Sequence, residues 1–485
     1  MKSTLKPTLL LMCGRSAAFA VTFLIPVVLV RTFDQAAFGT YKQLFLIYGT
    51  LFAVAQFGMA ESLYYFLPNN PKTSGRFGAN STLLLAIFGA ISALGLSWQA
   101  HRIAAWLSNP ALEPFLPWLG GYLALTLVGA TLEIAMVSRN RYGLAAITMG
   151  TSEIVRALLF VLPALFTGEL RWLFVGAMAF ATLRLAAGGF YAGKEFDNDF
   201  RPNRGLLKKQ LAYALPFQLA ILVETIQANY HQYAVSYYFD AATFAIYAVG
   251  CLQLPASELL SAPAANVMMV RMAEELREGR RENVLPVWED TNRKLLLILI
   301  PLTGFLMVAA HDLIVLLFTK TYLASVSIFA LWALMTTAFA FPTDAVLRVY
   351  ADTRAILALN LFRLVFVASL IGFAISRFGL IGPVVVTLSS LFLSKALALV
   401  RISRLMSVGI RHVIDWKIAG LSVAVTVLSC AVALGVRRQF EVTPLIGLSI
   451  LGSIYGTCCI GTLGAWWLLK TRSIKTCAEL PGSSA

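Results

Sequence analysis

Charge is scarce in this chain. Of its 485 residues 13% are charged and 59% are hydrophobic, and the mean hydropathy is +0.76. A soluble protein carries about 25% charged and about 45–50% apolar residues. So large an apolar excess cannot all be core, because a folded surface needs polar groups to stay in water. Cysteine is scarce too: Cys13, Cys251, Cys430, Cys458, Cys459 and Cys477 lie almost all in apolar runs, and no CxxC spacing occurs. That argues against a disulfide frame or a metal site and leaves the cysteines as small buried residues. No cofactor is expected. Long hydrophilic connections are missing as well. No stretch between apolar runs could hold a folded catalytic domain, so the chain is not expected to be an enzyme. The net charge of +15 comes without an aromatic-interleaved basic domain or a recognition motif, which argues against nucleic acid as a partner.

What the chain does have is apolar runs of the length an α-helix needs to cross a bilayer, about 20 residues. Segments centred near 20, 53, 88, 126, 156, 181, 223, 253, 306, 333, 365, 390, 427 and 457 each fit such a helix. They are far too long for strands. The first includes "AAFA" after Lys2 and Lys6, a loose likeness to a leader's cleavage site; Arg15 interrupts it and apolar sequence continues through Val30, so it is read as a membrane helix. With the N-terminus placed in the cytoplasm, the inner connections hold about 26 Lys and Arg and the outer ones about eight, the asymmetry expected of a cytoplasmic side. Both termini are then cytoplasmic. The longest inner connection, about Arg271–Lys294, reads as a charged helix lying along the membrane face.

The sequence also repeats itself. "FDQAAFGTY" (Phe33 to Tyr41) returns as "FDAATFAIY" (Phe239 to Tyr247), 206 positions later. Both copies follow a long apolar stretch. Tyr41 leads into the second expected helix and Tyr247 lies early in the eighth, so helices one to six match seven to twelve and two more are appended. Six helices per half is an even number, so both halves start on the same side and the repeat is parallel, related by an axis along the membrane normal, a plan that commonly puts substrate at the interface of the halves. The expected fold is an all-α polytopic membrane protein of about fourteen transmembrane helices: two pseudo-symmetric six-helix lobes, 1–200 and 201–410, and 411–485 with two further helices and a cytoplasmic tail. Asp34 and Asp240 are expected to cap or terminate the turns they occupy. Pro26, Pro216, Pro255, Pro263, Pro301 and Pro342 are expected to break helices in mid-span.

Five cations fall inside the expected helices: Arg15, Arg156, Arg184, Arg363 and Lys395. A central charge costs about 2.5–3.5 kcal/mol on insertion scales, so five cannot all face lipid unpaired. They occupy equivalent places in the halves. Arg156 matches Arg363, Arg184 matches Lys395, and Arg15 stands opposite Glu224. One reading is a water-filled, cation-lined cavity between the lobes for an anionic substrate. The other is structural pairing with Glu133, Glu153 or Glu258, or snorkelling to the interface; Glu153 and Arg156 are also neighbours on one helix. Glu224, in the polar stretch "ILVETIQANYHQY", is a candidate proton or cation site or a partner of Arg15.

The Asp34-x-x-x-Phe38-Gly39-x-Tyr41 stretch, the following "AQFGMAESLYYFLP" and the 6+6+2 plan resemble the Wzx-like polysaccharide flippases of the multidrug/oligosaccharidyl-lipid/polysaccharide exporter superfamily. The second copy departs by carrying Ala245 where Gly39 stands. The resemblance covers essentially the whole chain. It implies export of a polyprenyl-pyrophosphate-linked glycan across the bacterial inner membrane by alternating access, the headgroup passing through a cationic cleft while the tail stays among membrane lipids. It places Arg15 and Glu224 in that cleft and implies a polysaccharide polymerase and chain-length machinery as candidate partners. The rival within the superfamily is an ion-coupled multidrug or small-molecule exporter. Organic cations favour carboxylates, however, and helix one carries Arg15. A membrane polymerase or ligase would display a large outer loop, which is absent.

Overall fold

A computed structural model describes residues 5–196, 199–437 and 443–478, with side chains for 12, 14, 16–196, 199–216, 218–437 and 443–462. Among these the chain is helical, without a strand. Eleven helices are long and apolar enough to cross a membrane, and up to thirteen if two bent pairs each count as one span. The first helix contributes a shorter apolar segment, Ser16–Leu29. The expected count of fourteen is thus approximate, whereas the class is as expected. In a bilayer only a helix or a closed barrel satisfies every backbone N–H and C=O, and the apolar runs here are helix-length.

The chain divides into two compact units, residues 1–248 with 367–375, and residues 249–366 with 376–485. The first contains α1 (Leu5–Leu29), α2 (Gln35–Ala55), α3 (Met59–Asn69), α4 (Ser74–Trp98), α5 (Ala100–Trp106), α6 (Leu116–Gly129), α7 (Thr131–Ser138), α8 (Tyr142–Thr167), α9 (Leu170–Phe196) and α10 (Arg204–Tyr238). α11 (Ala241–Gly250) runs to the unit's edge. α2 and α3 form one span, interrupted where Phe57 and Gly58 take left-handed φ of 47° and 64°; at Gly58 the absence of a Cβ makes that conformation cheap.

The repeated stretch explains how α2 and α11 start. Asp34 accepts a hydrogen bond from the N–H of Ala37 at 2.7 Å, and Asp240 accepts one from that of Thr243 at 2.9 Å. Each aspartate satisfies a donor that the first helical turn leaves open. Hydrogen bonds from Thr243, side chain first and backbone second, hold the Asp240 carboxyl below its usual range despite some desolvation. Both expected caps are present. The stretch is therefore the opening of a helix, two turns earlier than the reading in which Tyr41 merely led into one. Its aromatics are buried in both copies: Phe38, Tyr41, Phe244 and Tyr247. Gly39 serves a different end. A Cβ there would stand 1.8 Å from the carbonyl oxygen of Ala241, so within this unit the first copy lies directly against the opening turn of the second. Small residues permit such close crossings in membranes. Ala245, the counterpart of Gly39, is buried.

α2 and α10 run antiparallel. The Gln43 side chain donates to Ser236 Oγ at 2.6 Å, Tyr233 donates to the Leu46 carbonyl at 3.3 Å, and Asn229 donates to Thr50 Oγ1 at 3.1 Å. Polar side chains thereby stitch the two helices together.

The second unit contains α12 (Pro255–Arg277), α13 (Val284–Val308), α14 (Ala310–Phe318), α15 (Ser325–Trp332), α16 (Met335–Ala338), α17 (Thr343–Val349), most of α18 (Thr353–Phe378), α19 (Ile381–Leu405), α20 (Ile410–Val413), α21 (Trp416–Arg437) and α22 (Pro444–Ala478). Two expectations fail here. The 271–294 stretch is not a separate surface helix. Its halves are the polar ends of α12 and α13, joined by a turn in which Gly279 has φ of 78°. The prolines also divide. α11 ends at Gly250 and α12 starts at Pro255, α10 bends by 41° at Pro216, and Pro342 precedes α17. Pro26, Pro263 and Pro301 lie inside uninterrupted helices. A proline frees one carbonyl and can bend a helix without ending it when the surroundings tolerate the loss.

Candidate functional site

The polar side chains of the first unit converge on a cavity of about 300 Å³ lined by Tyr48, Tyr122, Thr126, Glu153, Arg156 and Arg184, among others. The apolar helices supply it economically. α8 brings Glu153 and Arg156 one turn apart, on one face, and they form an ion pair. Arg156 also donates to Thr22 Oγ1 of α1 at 2.7 Å, and the Thr22 hydroxyl lies 3.0 Å from Glu153 Oε2. α9 brings Arg184, whose Nη2 meets Glu133 Oε2 of α7 at 2.6 Å and whose Nη1 donates to Ser152 Oγ at 2.6 Å. Gly129 of α6 leaves room for the Arg184 stem, with side-chain carbons 3.3–3.4 Å from where a Cβ would stand. Each guanidinium therefore has one carboxylate, and the four charges balance. Glu133 Oε1 and Arg156 Nε remain without a hydrogen-bond partner. Rings of α2 and α6 wall the cavity, Tyr48 and Tyr122 lying 5.0 Å apart, and Phe160 of α8 packs 5.7 Å from Tyr122.

In the second unit, Lys395 Nζ of α19 donates to the Phe341 carbonyl at 3.1 Å and to Thr343 Oγ1 at 3.0 Å, with Asp344 Oδ1 4.0 Å away. It thus satisfies the carbonyl that the break before α17 leaves open, a role suited to a cation at a helix end. Arg363 is half-buried on α18, near enough for its charge to act on Lys395. The matched positions are thus grouped alike: Arg156 with Arg184 in one unit, Arg363 with Lys395 in the other. Glu224 is exposed on α10. Arg15 lies on α1, but its side chain is outside the described residues.

Two features escaped the sequence reading. The first is a pairing: Glu133 is among the expected carboxylate partners, but it lies 51 positions from Arg184, so only tertiary packing reveals that this arginine takes it. The second is Lys42, which is not among the five expected intramembrane cations although it lies inside α2. The signal available for it was Asp34, whose capping ability puts the start of the helix upstream of Lys42.

Residues 28–327 match the family model described as "Polysaccharide biosynthesis protein". No curated protein sequence gives a significant match. Among solved structures, the fold is similar to that of lipid II flippase MurJ in an inward closed conformation, with a TM-score of 0.69 at 13% identity over 91% of this chain and 98% of that one. An inward-facing multidrug resistance MATE family transporter of the MOP superfamily aligns with a TM-score of 0.61 at 15% identity, over 80% of this chain and 96% of that one. A MOP superfamily transporter from Pyrococcus furiosus, described as having a binding pocket of reverse polarity, aligns at 0.54 with 16% identity, over 83% and 95%. These likenesses establish the fold.

Proposed function

Given that the chain belongs to the polysaccharide biosynthesis protein family, we propose that it is a flippase that carries a polyprenyl-pyrophosphate-linked glycan across the cytoplasmic membrane by alternating access. The observation that carries this reading is the repeated grouping of cations within the spanning helices, Arg156 with Arg184 and Arg363 with Lys395, in a family whose description is polysaccharide biosynthesis. Burying cations in an apolar chain is expensive. An anionic headgroup gives that expense a purpose, and an aqueous path is where such charges are tolerated.

Arg156 and Arg184 are balanced by Glu153 and Glu133, and Lys395 serves a helix break. Arg15 and Arg363 are assigned pyrophosphate contact beside Arg156, Arg184 and Lys395, and Glu224 the coupling ion. Arginine suits this role because its planar fork donates paired hydrogen bonds to phosphate oxygens and keeps its charge at any cellular pH.

The test is export of surface glycan in cells that depend on this chain. Arg363→Ala and Arg15→Ala should lower export about tenfold or more, the loss of one charge-assisted contact, while the protein stays folded and inserted. Lysine at either position should rescue in part. Normal export by the double variant Arg15→Ala/Glu224→Gln would instead make Arg15 a structural partner of Glu224.

A further inference from the structure

Lys42 differs from the other described intramembrane cations. It lies on the second turn of α2, half-buried, and among the described residues it has no carboxylate and no hydrogen-bond acceptor. Instead its ammonium sits 5.5 Å above the ring of Phe38 and 6.0 Å above that of Tyr41. Both rings belong to the repeated stretch and both are buried, so the platform beneath the charge is fixed. A lysine that snorkels to the interface extends towards water, with no ring to hold it back. Cation–π contact offsets only part of the penalty for a charge inside a span.

Further along that face α2 is open. Gly49, two turns further along the same face of α2, is exposed, and no atom stands within 4 Å of where its Cβ would be. The second copy of the stretch has Ala248 in place of Lys42, so the charge does not belong to the shared helix-opening function of the repeat. A helix that needs no cation to start therefore carries one that, among the described residues, has only aromatic rings as partners.

We propose that Lys42 is a further binding residue, contacting the pyrophosphate of the carried lipid from the open face of α2. This rests on the flippase reading above. A lysine ammonium is a compact point charge with three donors, which can follow a phosphate through several positions, whereas a bidentate arginine fixes one. The aromatic platform holds the stem so that the charge is presented without an ion-pair partner to displace.

The experiment uses the purified full-length chain and two probes, undecaprenyl pyrophosphate and uncharged undecaprenol, with binding followed by tryptophan fluorescence. The wild type should prefer the pyrophosphate. Lys42→Met should cut that preference about tenfold, the size of a lost charge-assisted hydrogen bond, and Lys42→Arg should largely keep it. Lys42→Gln takes the place of Lys42→Met if the latter does not purify. An unchanged preference in the neutral variant, beside a normal wild type, would overturn the role of Lys42 and leave the flippase reading standing. No preference in the wild type would overturn the pyrophosphate reading and this inference with it. If neither neutral variant folds while Lys42→Arg does, the charge is structural and the proposal fails.

Discussion

Arg184→Ala is expected to be among the most damaging single changes in the first unit, costing about 3–5 kcal/mol, the penalty for removing one partner of a buried ion pair. Glu133 is largely buried, its Oε2 lies 2.6 Å from Arg184, and its Oε1 has no other partner. Without the arginine that carboxylate has nothing to compensate it in a low-dielectric interior. Ser152 loses a donor at the same time. Melting of the purified variant should shift sharply downwards, or the protein should fail to accumulate. Adding Glu133→Gln removes the stranded charge and should recover much of the loss. The double-mutant cycle would then show coupling of about 0.5–3 kcal/mol. If Arg184→Ala melts like the wild type, the cavity is hydrated enough to carry a free carboxylate, and the balanced network has no structural role.

Gly39→Ala is expected to destabilise by about 1–3 kcal/mol or more, the cost of overpacking a tight contact, and Gly39→Val should prevent accumulation of folded protein. The added carbon would stand 1.8 Å from the Ala241 carbonyl oxygen, roughly half of ordinary van der Waals separation for such atoms. One backbone must therefore move, yet Phe38 and Phe244 beside it are fully buried. Gly49→Ala supplies the control on the same helix, since nothing lies within 4 Å of it, and should change stability by no more than about 0.5 kcal/mol. Equal melting of Gly39→Ala and Gly49→Ala would contradict the close crossing.

How much of this was legible beforehand depends on range. Helix-length apolar runs reveal the class of the fold because hydropathy acts within one segment. The caps at Asp34 and Asp240 were legible for the same reason, being contacts within one turn. The repeat announced equivalent positions, and the structure gave it a second meaning: in the first unit its two copies meet at Gly39 and Ala241. What remained hidden was long in range. No local pattern says that Arg184 takes Glu133, that Lys395 serves the carbonyl of Phe341, or that Pro301 leaves α13 unbroken while Pro255 opens a new helix. The surface helix expected at 271–294 fails for another reason. A polar run looks alike whether it lies flat or forms the ends of two spanning helices, and the turn at Gly279 decides between them.

The central claim is that this chain moves a pyrophosphate-linked lipid between leaflets. The direct measurement reconstitutes the purified full-length protein in liposomes containing a fluorescently tagged undecaprenyl pyrophosphate-linked sugar, then adds a membrane-impermeant reductant that bleaches only the outer leaflet. Bleaching should proceed beyond the outer-leaflet share in liposomes with the wild-type protein and stop at that share without protein, with Arg363→Ala markedly slower. Bleaching that stops at the same level with and without the protein, under imposed proton and sodium gradients of either direction, would contradict the flippase reading.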